Sequence, residues 1–308
     1  METELYTNKS TSACIRAAYM LLTTNIKTIF KRLWLPALAN AIMLTLSFML
    51  YIPDKGINDW GHAHPLVATI LISASYLLTV IASIWLTGAI ASMLNGSILK
   101  KNIFRAIMVV GAELIITTIS IFIINFGTSF VASILASSKI TSPEHALTAG
   151  HISAFAIFIL FCIFTLPFVF STVRYQIDHK TRFSEIFRKG YGTGFRHWGF
   201  QFITYFVGVL LTIVACFIAF IPLIIISSAQ IMNQLGLLAG DPNGAPGYFV
   251  WLLMATVLIT MFLLCFILVW TFFIAYYTYG SVEAKDLALK AAKEKAIANN
   301  NKNENEIE

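Results

Sequence analysis

Apolar positions along the chain gather in long blocks, not in strand-length alternation. Six predominantly apolar blocks cover residues 33–51, 66–94, 114–135, 152–173, 200–229 and 248–279. A lipid hydrocarbon core needs about 20 helical residues to cross it, at 1.5 Å rise each. The pattern therefore predicts an all-α, polytopic integral membrane fold with six transmembrane helices, residues 33–279 forming the membrane domain. The last two blocks exceed the required length, which predicts that each tilts, kinks or runs on into the interface.

Between the blocks the pattern changes to the helical period. Ile15, Tyr19, Leu22, Ile26, Ile29 and Leu33 recur at three- and four-residue spacing, with Arg16, Thr23, Lys27 and Lys31 on other faces. Residues 1–32 are thus expected to form an amphipathic interfacial helix, the chain turning into the membrane at Pro36. The stretch from Arg174 repeats the design: Phe183, Ile186, Phe187, Tyr191, Phe195 and Trp198 form an apolar stripe, Thr181 is placed to cap, and Glu185 stands four residues before Lys189. "IFR" at residues 103–105 matches "IFR" at 186–188, and "IFK" at 29–31 echoes both. The echo suggests an interfacial helix plus a two-helix hairpin, used three times. Residues 280–308 read as a cytoplasmic helix followed by a disordered, Asn-rich polar tail.

Charge adds orientation. The non-spanning segments hold 5, 3, 6 and 5 Lys or Arg on one side of the predicted membrane, against Lys55 and Lys139 on the other, a split of 19 to 2. By the positive-inside rule both termini are expected in the cytoplasm. The net charge of +6 is then a signal toward anionic lipid and not a nucleic-acid signature. Composition agrees, at 58% hydrophobic and 12% charged residues, where soluble chains carry about 25% charged. The first 32 residues show no uninterrupted apolar run after a basic start, so the first span itself is expected to act as the insertion signal. Cys14, Cys162, Cys216 and Cys265 are scattered singly, a pattern that supports neither a disulfide framework nor a zinc site.

Candidate chemistry is sparse. "GYGTG" at 190–194 has glycines but neither the strand nor the Gly-Lys-Ser/Thr of a phosphate loop, and reads instead as a bend between interfacial helix and span. His179 and His197 titrate in the right range for acid–base work but have no nucleophile or second carboxylate at a fixed spacing. Arg182, Arg188, Lys189 and Arg196 are candidate lipid-headgroup contacts. Glu113 borders the third span, and the register of the echo puts it at the water boundary, paired with a neighbouring basic residue; deeper placement would suggest proton coupling. Thr79 and Ser83, with Tyr76 and Thr87, form a polar stripe on the second span, and Asn125 marks the third. These suit helix packing or, alternatively, a solute path. Pro167 and Pro222 predict kinks or hinges. His62, His64 and His145, together with Asp59, would compose a metal site only if their loops met, and their spacing fits no closed site, so no metal or other cofactor is expected.

The segments "IRAAYMLLTTNIKTIFKRLWLP" and "RFSEIFRKGYGTGFRHWGFQFITYFVGVLL" resemble the amphipathic entries of a loose group of uncharacterised bacterial six-span membrane proteins. That group includes the membrane domain fused to some glycerophosphodiester phosphodiesterases. The resemblance implies a multi-pass protein of the bacterial cytoplasmic (inner) membrane. It reaches the membrane domain alone, so the phosphodiesterase activity is not carried over. The expectation is a non-enzymatic protein that engages phospholipid, a partner membrane protein or a second copy of itself through basic cytoplasmic helices, with no nucleic acid. The alternative is a permease for a neutral or lipidic solute.

Overall fold

The computed structural model describes residues 4–52, 60–137, 143–240 and 244–305, and every regular element among them is helical. The order is α1 (Thr11–Thr24), α2 (Ile26–Tyr51), α3 (Pro65–Asn95), α4 (Leu99–Ser137), α5 (Pro143–Ile177), a 3-10 turn (Phe183–Ile186), α6 (Lys189–Arg196), α7 (Trp198–Leu238) and α8 (Phe249–Asn305). Six of these, α2 to α5, α7 and α8, are long and apolar enough to cross a membrane. Their outer faces carry large apolar side chains, such as Ile213, Val214, Phe217, Ile218 and Ile225 on α7. Water would not tolerate such a surface, and lipid would cover it.

The boundaries differ from the sequence pattern in instructive ways. The first break comes at Asn25, whose side-chain amide and backbone N–H both donate to the Leu21 carbonyl. Short amide side chains compete for backbone groups in this manner and end helices. Pro36 lies inside α2 without ending it. Nor does an interfacial helix precede the third span: Ile103–Arg105 and Glu113 belong to one continuous α4. The stretch from Thr181 is likewise not a single helix. Thr181 donates to the Asp178 carboxylate at 3.0 Å, Arg182 and not Thr181 stands at the cap of the 3-10 turn, and the chain breaks between that turn and α6. α8 runs unbroken to Asn305, into the Asn-rich segment that composition marks as a tail.

Two compact units arise from this chain: Lys9–Ala106 with Ile203–Tyr277, and Leu5–Asn8 with Ile107–Phe202 and Thr278–Glu308. In the first, α8 buries Leu253, Val257, Met261, Cys265, Val269 and Phe273 at four-residue spacing. A line of this spacing is one of the ridges by which helices interdigitate, and it winds about 40° around the helix per step. Polar ties reinforce the packing. Ser83 donates to the Asn40 Oδ1 at 3.0 Å, Asn40 Nδ2 reaches the Cys265 sulfur at 3.5 Å, and Thr212 meets Thr271 at 3.3 Å. At the turn from α3 to α4, Asn95 donates to the fully buried Asn102 at 2.8 Å.

In the second unit an apolar cluster of Val109, Ala112, Phe168, Tyr175 and Ile186 joins α4, α5 and the 3-10 turn. Residues 5–8 lie along α8. The Tyr6 and Tyr279 hydroxyls are 3.3 Å apart, and the Leu5 carbonyl occupies the space a Cβ on Gly280 would need.

Candidate functional site

The most elaborate polar chemistry lies in the second unit, where the end of α5, the 3-10 turn, α6 and the 278–290 part of α8 meet. Its foundation is Pro167. A proline inside a helix supplies no N–H to the carbonyl four residues earlier, here Ile163. The Trp198 indole donates to that carbonyl at 3.0 Å, and the Tyr191 hydroxyl donates to the next one, on Phe164, also at 3.0 Å. Side chains from outside α5 thus take up the carbonyls of the turn that Pro167 interrupts.

Two of the glycines serve the same contact, whereas a Cβ on the third, Gly192, would meet open space. All three lie within α6, and none has a positive φ. A Cβ on Gly194 would stand 2.9 Å from the Pro167 carbonyl oxygen, and one on Gly190 would stand 3.0 Å from Ser171 Oγ and the Glu185 carbonyl. They let α6 lie directly against α5, in place of the expected bend. Gln201 completes the seam, donating to the Gly194 carbonyl at 2.7 Å.

Beside this seam sits an ionic cluster built on α8. Asp286, 2% exposed, receives Arg196 Nη1 at 2.7 Å and Lys290 Nζ at 2.6 Å, while His197 Nε2 stands 3.9 Å away. One turn earlier Glu283 pairs with Arg174 at 3.2 Å, and Lys285 Nζ lies 3.2 Å from the centre of the Phe200 ring. Burial holds the His197 imidazole below its ordinary pKa, and the Lys285 and Arg196 charges push the same way against Asp286. With its proton lost, His197 adds no charge to a carboxylate that already has two cations. Glu283, Asp286 and Lys290 share one helix face by spacing, so the sequence did contain a trace of the cluster. The partners of the two carboxylates from other elements, Arg174, Arg196 and His197, lie far upstream, beyond what spacing reveals.

Of the four expected headgroup residues, Arg196 is thus engaged internally. Arg182, Arg188 and Lys189 are exposed, and among the described residues they form no ion pair. Phe187 and Phe195, each 53% exposed, flank them. A groove of about 300 Å³ lined by Phe161, Phe164, Phe168, Phe187 and Tyr191 opens in the same unit. Basic and aromatic groups side by side are the surface chemistry of a membrane interface.

The remaining candidates are dispersed. Thr79 donates to the Ser75 carbonyl at 2.8 Å and meets Ser47 at 3.3 Å, and Ser83 is held by Asn40. Asn125 is exposed and bonds its own helix at Ile121. Glu113 sits on the exposed face of α4 and, against expectation, forms no ion pair among the described residues. Pro222 lies within a continuous α7. His62, His64 and His145 are exposed. Among the described residues no three His, Cys, Asp or Glu side chains converge as a metal site would require; Asp59, Lys55 and Lys139 lie outside the described residues.

Six apolar helices and a polar seam of this kind define a multi-pass helical membrane protein. No family model, curated protein or solved structure matches the chain.

Proposed function

We propose that this is a non-enzymatic protein of the bacterial cytoplasmic membrane, with both termini inside, that binds anionic phospholipid through the surface around α6. The observation that carries the reading is the set of unpaired, exposed cations Arg182, Arg188 and Lys189 beside the exposed Phe187 and Phe195. Each cation near an anionic leaflet adds on the order of 1 kcal/mol of attraction, and the aromatic rings add burial at headgroup depth. The 19-to-2 distribution of Lys and Arg supports the inside placement of this surface. The segments 183–186 and 189–196 take the role of interfacial helices.

The hydrogen bonds beside Pro167 and the ionic cluster give this surface a fixed backing, which lowers the ordering cost of presenting its charges. A permease reading draws less support. Thr79 and Ser83 are used between helices, and Asn125 bonds its own backbone.

The test is lipid analysis of protein extracted in mild detergent. The triple variant Arg182→Gln, Arg188→Gln, Lys189→Gln is expected to retain several-fold less phosphatidylglycerol and cardiolipin than the wild type. Unchanged lipid content would overturn the reading.

A further inference from the structure

A groove in the first unit has no part in the site above. It measures about 850 Å³, within the roughly 300–1,000 Å³ typical of small-ligand sites. Its lining includes Ser12, Ile15, Arg16, Val207, Leu211 and Trp270. Residues 12, 15, 16 and 19 recur at the spacing of one helix face, so α1 presents this wall as a unit. Three contacts hold α1 in place: Thr11 meets Thr204 at 3.1 Å, the Cys14 thiol reaches the Tyr277 carbonyl at 3.7 Å, and Lys9 Nζ lies 5.9 Å from the centre of the Tyr277 ring. The groove is thus bounded by packed helices and not by a loop.

Its chemistry is of two kinds. Ile15, Val207, Leu211 and the Trp270 ring form an apolar wall, whereas Ser12, whose hydroxyl lies 3.3 Å from that of Ser10, and the Arg16 guanidinium supply the polar end. Arg16 is exposed and forms no ion pair among the described residues. Val207 lies nine residues into α7, about 14 Å along the helix, so the apolar wall extends well away from the start of that helix. A cation and hydroxyls joined to such a wall complement an occupant with an anionic head and a hydrocarbon tail. A free anion would leave the apolar wall empty, and a neutral hydrophobe would leave Arg16 unmatched.

We infer that this groove binds one anionic phospholipid, with its phosphate at Arg16 and Ser12 and an acyl chain along Val207, Leu211 and Trp270. The inference rests on the membrane placement of the chain and not on the basic surface around α6. Native mass spectrometry of the delipidated full-length protein, titrated with phosphatidylglycerol, tests it. The wild type is expected to hold one phosphatidylglycerol more tightly than phosphatidylcholine. Arg16→Gln is expected to weaken that lipid about tenfold, the loss of one charge-assisted hydrogen bond. Val207→Phe, which puts a ring where the acyl chain would lie, is expected to weaken the site several-fold, with Leu211→Phe as the second blocking variant should the first not fold. The triple variant of residues 182, 188 and 189 is expected to keep it, so the two lipid readings fail separately. Binding unchanged in Arg16→Gln and in a folded blocking variant would overturn the inference. Inorganic phosphate binding as tightly as the lipid would do so too, as would a second protein copy shielding the groove.

Discussion

His197 shows how one side chain can record its surroundings. Half-buried between α6 and α7 and facing Arg196 and Lys285 as well as Asp286, it is held neutral more strongly than a free imidazole. A group with a depressed folded pKa contributes stability that is fully present above its unfolded value, about 6.5 for histidine. That stability is lost as pH falls toward the folded value, because the unfolded chain takes up the proton first. The protein is therefore expected to lose thermal stability on acidification from pH 7.5 to 5.5, and His197→Gln to flatten this part of the profile. Melting curves in detergent across that range check it; identical slopes in both proteins would refute the assignment.

At the scale of elements, α5 depends on residues that are not its own. The carbonyl of Ile163, freed by Pro167, is served by Trp198. Leaving a carbonyl unpaired away from water costs about 1–3 kcal/mol; the Ile163 carbonyl is part-buried, so Trp198→Phe is expected to destabilise the protein by about 1 kcal/mol, the lower end of that range. Pro167→Ala returns an N–H to the helix, so the same Trp198→Phe change made in that background is expected to cost distinctly less. A double-mutant cycle of thermal unfolding reads the difference. Strict additivity would mean that the indole contributes through packing alone. The proline was visible in the sequence, but its partner was not, because the two meet only after α5 and α6 pack. The glycines at 190 and 194 were similarly visible and misassigned. A bend and a close helix contact call for the same small residue, and only the opposing Pro167 and Ser171 tell them apart.

Across the whole molecule, the six spans were legible from apolar block length, because lipid as solvent allows few other patterns. What the blocks could not convey is where a helix ends once it leaves the lipid. Asn25 stops α1 with a local hydrogen bond, while the more conspicuous Pro36 remains inside α2. The buried carboxylate at Asp286 escaped the pattern for another reason. It falls in the stretch expected as a plain cytoplasmic helix, and its partners Arg196 and His197 are distant in sequence. The proposed orientation makes a prediction at this scale. Alkaline phosphatase fused at His64, His145 or Gly244 is expected to be active, and fused at Ser97, Arg188 or Lys293 inactive; the reverse pattern would invert the topology.

The contact of residues 5–8 with α8 bears on synthesis. Tyr6 and Tyr279 stand 273 positions apart, so at about 5–20 residues per second the early segment waits for tens of seconds before its partner has been translated. During that interval Leu5 has no Gly280 to lie against. A chain released before Tyr279 keeps Leu5 uncovered, and so carries on its surface a sign, readable by a protease or chaperone, that translation stopped short.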